Sequence, residues 1–236
     1  SASRVDTFYA CRYMYFLQYG LGARPRKAAG FDAPTAGTFM HYVLESVTRE
    51  LRENGGFSKA DDDTCRALTE KYAGQYAEDV LQSFKDKSGR FIYLFNRMKN
   101  DAVHIVRDMV GELKNSDFTP LDFELAFSDG GDIPPRCVEG PDARLKVRGF
   151  IDRLDGWERD GRLHLRVVDY KTGRKKFGLS DVLHGMNMQM LIYLFALREN
   201  GGARYKGQIV PAGVLYAPAR EEMLGVPRNI SDAELE

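Results

Sequence analysis

The sequence has few of the features that mark a secreted or membrane-spanning protein. Its three cysteines, Cys11, Cys65 and Cys137, lie far apart and form no CxxC pair. Neither a disulfide framework nor a complete zinc site can therefore be read from them. No apolar run approaches the roughly 20 residues that cross a bilayer, and no signal-peptide pattern opens the chain. We expect a globular protein of the cytosol, with reduced thiols and no membrane partner.

The chain also lacks an excess of charge of either sign. Lys plus Arg and Asp plus Glu number 34 each, so the overall charge indicates no nucleic-acid partner. The distribution is less even, because positions 144 to 176 hold eleven basic and five acidic residues. Such a patch favours phosphate binding, although a solvated strand face rich in arginine is an alternative. No GxxxxGK[ST] motif occurs, which excludes a Walker A site in this segment.

The chain is long enough for one large domain or two small ones, with 43% hydrophobic residues among 236. It begins at Ser1 without a methionine and stops at Glu236 in a polar segment, so we expect a C-terminally truncated piece of a longer protein. Helical spacing of apolar residues and one capping signal predict the helices of the first half. They are a short helix at 7–19, an amphipathic helix at 36–53, a helix from a Ser58–Asp61 capping box to about Phe84, and one from about Phe91 to Lys114.

After Pro120 the hydrophobic period changes to two, which is typical of strands. Alternation in LDFELAF predicts a strand at 121–127, followed by a Gly- and Pro-rich loop at 128–142. Further predicted elements are strands at 144–157 and 162–171, a helix from Ser180 to about Arg198 and a strand at 207–216. Helices followed by strands, a helix and a strand indicate an α+β or mixed α/β architecture.

The dipeptide Asp160-Gly161 favours a two-residue hairpin between the strands at 144–157 and 162–171. Paired positions then sum to 321, which puts Asp152 directly opposite Asp169, while Lys171 shares the face of Asp169. Opposed carboxylates repel each other, and a divalent cation with hard oxygen ligands suits them better than one lysine does. The alternative is that Asp152 and Asp155 face solvent and that Asp169 ends its strand in an ordinary ion pair with Lys171.

Four motifs in a fixed order carry a family resemblance: GTFMHYVLE (37–45), GFIDRLD (149–155), VVDYKTG (167–173) and QMLIY (189–193). Together they resemble the nuclease domain of the RecB and AddB type within the PD-(D/E)XK nuclease superfamily. The resemblance extends from CRYMYF at Cys11 to the last strand. It implies a single nuclease domain with a restriction-endonuclease-like core, in which helices flank a central mixed sheet. The helical part would lie at about 1–117 and the catalytic sheet at about 118–218.

The resemblance implies a role for several residues. Asp152 and Asp169 would ligate Mg²⁺, for which Mn²⁺ could substitute, and Lys171 would hold or help deprotonate the attacking water. His41 and the backbone carbonyl of Tyr170 would be additional ligands. Auxiliary positions beside the site would be Glu124, Gln189 and Tyr193. Taken alone, His41 suits a helix-surface pair with Glu45, Gln189 and Tyr193 suit helix packing, and Glu124 suits a solvent-facing position.

The remaining expectations concern DNA and an iron–sulfur cluster. We expect contacts to the DNA backbone from Arg153, Arg174, Lys175 and Lys176. Cys11 stands where nucleases of this type have the first ligand of a 4Fe-4S cluster, but no cysteine group follows it in this chain. The cluster is therefore expected only in the longer protein.

The predicted function is that of a Mg²⁺-dependent DNA exonuclease domain in a bacterial helicase-nuclease that resects double-strand breaks for recombinational repair. Its partners would be a single DNA strand from an unwound duplex and an AddA-type subunit. Two alternatives remain open: a catalytically silent module that binds DNA or a subunit, and a CRISPR-associated nuclease of related build.

Overall fold

The protein is described by a computed structural model, which covers residues 2–24, 33–141, 144–173 and 178–220. The α-helices are α1 (Ala2–Ala10), α2 (Arg12–Tyr15), α3 (Ala33–Glu53), α4 (Asp62–Asp79), α5 (Gly89–Lys114), α6 (Leu179–Leu183) and α7 (Gln189–Asn200). The strands are β1 (Thr119–Phe127), β2 (Arg136–Glu139), β3 (Arg144–Val147), β4 (Gly149–Arg159), β5 (Arg162–Lys171) and β6 (Gln208–Pro218). Among these described residues, no helix has the length and apolarity needed to cross a membrane.

The long helices form where apolar residues recur at helical spacing, and their starts are fixed by side-chain caps. Asp61 caps α4 by accepting a hydrogen bond from the Thr64 backbone N–H at 2.8 Å. Ser88 caps α5 in the same way, with the Phe91 N–H at 3.2 Å. The predicted Ser58–Asp61 capping box was wrong, because Ser58 lies in the preceding 3₁₀ turn, Phe57–Lys59, and Asp61 is itself the cap.

Other predicted bounds were also wrong where the backbone turns. The helix predicted at 7–19 is divided between α1, α2 and a π-helical turn at Phe16–Gly20. The helix predicted from Ser180 is split into α6 and α7, and Asn187, between them, has a φ of +57°. The segment predicted as a loop at 128–142 contains β2, which pairs with β3 in a separate two-stranded sheet.

The main sheet has the strand order β1-β4-β5-β6. β1 pairs antiparallel with β4, β4 antiparallel with β5, and β5 parallel with β6. A sheet of both kinds with helices packed against it confirms the predicted mixed α/β architecture. The parallel connection from β5 to β6 runs through α6 and α7, as parallel pairing requires a long crossover.

The β4–β5 hairpin has the predicted turn and register. Asp160 and Gly161 have φ values of +52° and +69°, as a type I′ turn requires at both central residues. Arg159 pairs with Arg162, and the pairing continues without a shift to Arg153 and Val168. Every pair sums to 321, so the predicted register is confirmed and the next positions along it are Asp152 and Asp169.

Two hydrophobic cores lie against the main sheet. The first contains the inward residues of α3, α4 and α5, together with Val168 and Tyr170 of β5. The second contains α7 and residues from β1, β4 and β5, including Val167. Because successive residues of β5 point to opposite faces, this strand contributes to both cores and links the helical block to the α7 side.

Candidate metal centre at the β4–β5 hairpin

Three acidic residues lie in one row across neighbouring strands. The β1–β4 pairs Phe123–Arg153 and Leu125–Ile151 lie on either side of Glu124 and Asp152. The β4–β5 register, continued one step beyond its last pair, Arg153–Val168, leads from Asp152 to Asp169. Glu124 has a φ of +47°, an uncommon conformation for a residue with a side chain. The alternation of β1 breaks there, since the Phe123 ring lies beside Arg49 of α3 whereas Leu125 belongs to the α7 core. The expected single apolar face of this strand was therefore wrong.

His41 of α3 points at the same row. Its Nε2 lies 3.1 Å from the Tyr170 backbone carbonyl, and because a carbonyl only accepts, this nitrogen carries the proton. Its Nδ1 lies 3.6 Å from Asp152 Oδ2 and 4.0 Å from Glu124 Oε1. With the proton on Nε2, Nδ1 could offer its lone pair to a cation that the two carboxylates also bind.

The electrostatics of the row favour a bound positive charge. Burial raises the pKa of Asp152 to about 6, and the neighbouring Asp169 carboxylate acts in the same direction. Burial also raises the pKa of Glu124, with Asp152 as a further cause. Both groups resist ionisation because their charged forms are desolvated and repel each other. A cation at this position would relieve both effects.

Asp169 is 4% exposed and forms an ion pair with Lys171. The alternative that Asp155 faces solvent was wrong, because Asp155 is completely buried. The Asp169–Lys171 ion pair does form, although at a buried position rather than at an exposed strand end. Lys171 is thus held beside the acidic row by a carboxylate of the same strand.

The side chains present fit a divalent cation. Ligand atoms of His41, Glu124 and Asp152 all lie within 4.8 Å of one another, a spacing that one ion can bridge, since metal–oxygen and metal–nitrogen bonds are about 2.0 to 2.6 Å long. Glu124, expected only as an auxiliary residue, belongs to this group. Asp169, expected as a ligand, lies outside it and contacts Lys171 instead.

Gln189 and Tyr193 lie in the first two turns of α7, and Tyr193 is close enough to the same row for its charges to affect the tyrosine's pKa. Tyr193 is 4% exposed, forms a side-chain hydrogen bond with Gln189 and stacks on Phe127 with ring centroids 5.5 Å apart. Burial raises the pKa of Tyr193, and the carboxylates of Asp169 and Asp152 add to this shift. Tyr193 therefore packs in the α7 core, and the charges of the acidic row affect its pKa.

Sequence reasoning missed why glycine occupies the first position of β4, Gly149. A Cβ atom on Gly149 would lie 1.9 Å from the Tyr193 hydroxyl oxygen, so only glycine allows this close approach. The signal was present in the glycine that opens GFIDRLD, since an isolated glycine at a strand often marks a close contact.

The expectation that Arg153 contacts the DNA backbone was wrong. Arg153 is 1% exposed, and its guanidinium donates to Asp155 at 2.8 and 3.0 Å. Asp155 also accepts from Arg166 at 2.7 Å. The register that predicts the opposition of Asp152 and Asp169 also pairs Asp155 with Arg166, so this ion pair could have been found by the same count.

Some of the other basic residues of the 144–176 patch are paired with acids, and three lie outside the described residues. Lys146 and Arg148 both contact Asp129, at 3.0 and 2.7 Å, so an acid outside the segment reduces its excess of charge. The positions expected to bind the DNA backbone at Arg174, Lys175 and Lys176 lie outside the described residues. Their contacts with DNA stay a prediction.

The cysteines do not supply an iron–sulfur site. Cys11 is exposed and caps α2 by accepting from the Met14 N–H at 3.4 Å, while Cys65 is buried in α4. Cys137 lies in β2 rather than in the expected loop. A 4Fe-4S cluster takes four cysteine thiolates, and this chain has three cysteines in all. Cys11 as a cluster ligand in a longer protein stays a prediction.

Comparison with known proteins shows which family this chain resembles. Curated relatives that are named as subunits of an ATP-dependent helicase/deoxyribonuclease match the whole chain. They include proteins of Caldanaerobacter subterraneus subsp. tengcongensis (35% identical), Clostridium acetobutylicum (32%) and Ruminiclostridium cellulolyticum (33%). The chain spans about one fifth of the length of these relatives, 20 to 21%.

The sequence profile of the PD-(D/E)XK nuclease superfamily matches residues 1–235. The matched region includes the acidic row, the lysine of β5 and the histidine of α3. The chain therefore belongs to the PD-(D/E)XK nuclease superfamily.

Proposed function

We propose that this chain is a divalent-metal-dependent DNA nuclease module that hydrolyses phosphodiester bonds. The observation that carries the proposal is the row of Glu124, Asp152 and Asp169 across three strands, with His41 at one side and Lys171 at the other. Carboxylates, an imidazole and an amine in one place are the groups that metal-assisted phosphodiester hydrolysis uses.

The reaction would use these groups as follows. His41, Glu124 and Asp152 would hold the ion, and Asp169 and the Tyr170 carbonyl are the further ligands that family resemblance implies. When bound, a divalent cation neutralises charge on the phosphate and lowers the pKa of a water molecule. The Lys171 ammonium, held by Asp169, orients the water that attacks phosphorus and counters negative charge as one P–O ester bond breaks.

Mg²⁺ is the proposed ion, and Mn²⁺ the proposed substitute. Carboxylate oxygens suit both ions, whereas an imidazole nitrogen suits the transition metal better. With His41 among the ligands, Mn²⁺ is therefore expected to bind more tightly than Mg²⁺.

The proposed substrate is a single DNA strand, and the proposed setting is a bacterial helicase-nuclease with an AddA-type partner subunit. The names of the relatives, which include both "helicase" and "deoxyribonuclease", support this assignment. In that setting the module would degrade DNA during resection of double-strand breaks and recombinational repair. Backbone phosphate contacts would make binding sensitive to salt and largely independent of sequence.

The test is cleavage of 5′-labelled and 3′-labelled single-stranded DNA by the purified chain with Mg²⁺ or Mn²⁺. Asp152→Asn removes one ligand charge with little change in shape, and we expect it to lower the cleavage rate at least 100-fold. Asp160→Asn is the matched control, since it makes the same chemical change at the exposed turn of the same hairpin. Asparagine before glycine is favoured in this turn, so the control is expected to keep wild-type activity.

Equal cleavage by wild type and Asp152→Asn would point to a contaminating nuclease and remove the support for the proposal. Binding of DNA without cleavage under all metal conditions would favour the alternative of a silent DNA-binding module.

A further inference from the structure

A group of charged side chains lies behind the sheet, and the proposed chemistry does not use it. Arg153 and Asp155 of β4 are 1% and 0% exposed, and Arg166 of β5 donates to Asp155 at 2.7 Å. Glu112 of α5, which is partly exposed, completes the group by pairing with Arg166 at 2.9 Å and with Arg153 at 3.6 Å. Buried ion pairs rarely stabilise a protein more than apolar residues of the same size would, because both charges lose their hydration. The presence of this group therefore calls for a role other than stability.

Arg153 makes a further contact, to the side chain of Tyr170. Its Nη1 donates to the Tyr170 hydroxyl oxygen at 3.1 Å, and its guanidinium carbon lies 5.7 Å from the centre of the ring. The Tyr170 hydroxyl in turn donates to Met109 Sδ at 3.7 Å. Partners on both sides of the hydroxyl thus fix the ring.

The backbone of Tyr170 contacts two of the side chains that could hold the ion. Its N–H donates to Asp152 Oδ2 at 2.7 Å, and its carbonyl accepts from His41 Nε2 at 3.1 Å. One peptide segment therefore orients two of the three side chains that could hold the ion. The hydrogen bond to Nε2 also fixes the ring of His41 with Nδ1 towards Asp152.

We propose that Arg153 is a positioning residue for the metal centre, acting through Tyr170 from the opposite side of the sheet. This inference rests on the proposed function, because it concerns how the same site is held in place. The directly paired Asp155 and Arg166 add to the effect, since a slip of one residue between β4 and β5 would break their contact and turn the acids to the other face.

The test measures metal affinity without DNA and without turnover. Tyr170→Phe removes only the hydroxyl that Arg153 contacts and leaves the backbone in place. We expect Mn²⁺ affinity, measured by electron paramagnetic resonance titration, to weaken by about 10-fold or more, the usual effect of losing an outer partner of a ligand. Arg153→Met, which removes the donor, should give a similar loss.

Tyr72→Phe is the matched control. Tyr72 donates its hydroxyl hydrogen bond to Glu50 at 2.5 Å in the helical block, so this variant also loses one tyrosine hydroxyl contact. A merely structural role for Tyr170 predicts that both tyrosine variants lower the melting temperature and neither changes Mn²⁺ affinity. If Arg153→Met does not fold, the Mn²⁺ affinity of Tyr170→Phe alone tests the positioning role.

Mn²⁺ affinity within twofold of wild type in folded Tyr170→Phe would overturn the inference. If the wild type itself binds no Mn²⁺, the proposed function fails, and hydrogen exchange in the metal-free protein decides the positioning role. The Tyr170 amide, bonded to Asp152, should then exchange at least 10-fold faster in Tyr170→Phe and at an unchanged rate in Tyr72→Phe. Equal exchange rates of this amide in wild type and Tyr170→Phe would contradict the inference.

Discussion

Asp152 is the residue at which the demands of folding and of the proposed metal site conflict. It lies between Glu124 and Asp169 across the sheet, with His41 at 3.6 Å and Lys171 as a further nearby charge. Its carboxylate is desolvated, and this raises its pKa to about 6 from an ordinary value of 3.8. An ionised Asp152 is therefore unfavourable in the metal-free protein.

The sign of this effect gives a prediction. Because the folded pKa is the higher one, Asp152 favours the folded state below about pH 4, and this contribution is lost as the pH rises through about 6. At pH 8 the loss is up to about 3 kcal/mol, at 1.36 kcal/mol for each pKa unit. In excess chelator, Asp152→Asn is expected to exceed the wild type in free energy of unfolding at pH 8 by up to this amount.

At pH 4 the two proteins should be nearly equally stable, since Asp152 is then protonated. Urea unfolding curves at the two pH values measure the difference, with Asp160→Asn as the exposed control. A variant that is no more stable than the wild type at pH 8 would show that Asp152 carries no such penalty.

At the scale of residues, the sequence predicted those positions that follow from counting cross-strand pairs away from the hairpin turn. The turn at Asp160-Gly161 fixes the register of β4 on β5, and this register leads to Asp152 opposite Asp169. The count could not give the positive φ of Glu124 or the contact of His41 with the Tyr170 carbonyl. Both depend on how α3 packs on the sheet, which no local pattern of residues specifies.

At the scale of elements, the contact between the start of β4 and α7 depends on the absence of one side chain. The Tyr193 hydroxyl occupies the space in which a Cβ on Gly149 would lie, 1.9 Å away. Tyr193 is held on its other side by the stacked Phe127. Neither ring can move without opening the α7 core.

Gly149→Ala is therefore expected to lower the free energy of unfolding by about 1 to 3 kcal/mol, the usual effect of overpacking. Gly173→Ala is the matched control, because a Cβ there meets nothing within 4 Å. Thermal or urea unfolding of the two variants measures the difference. Equal stability would mean that Tyr193 can shift away from β4 without loss.

The positions of the long elements were predictable, and their interruptions were not. Helical spacing identified α3 and α5, since each buries a continuous apolar stripe. The break between α6 and α7 was missed, because its signal is a single residue in the left-handed conformation, Asn187. The strand β2 was missed because the Gly and Pro residues around it predict turns, and its four residues are too few to show a strand pattern.

At the scale of the whole molecule, β5 joins the two hydrophobic cores. Val167 and Val168 are both completely buried, the first in the α7 core and the second in the helical core. Removal of β5 from the sheet would expose both cores at once. This arrangement predicts one cooperative unfolding transition.

The single tryptophan makes this testable. Trp157 lies on β4 with its ring 5.8 Å from Phe118, so its fluorescence reports on the sheet, whereas far-ultraviolet circular dichroism reports mainly on the helices. The two urea midpoints should coincide. Val168→Ala should lower both midpoints together, through a loss of about 2 kcal/mol in the free energy of unfolding. Separate midpoints would show that the helical block unfolds independently.

The hairpin turn lies far along its strands from the acidic row. Eight positions separate Asp152 from Asp160, and at about 3.3 Å per residue the strand carries the turn roughly 26 Å away. A fluorophore attached at this tip would be fixed to the same strand as Asp152 without obstructing a substrate. The tip is thus a natural attachment point for distance measurements to the proposed DNA substrate.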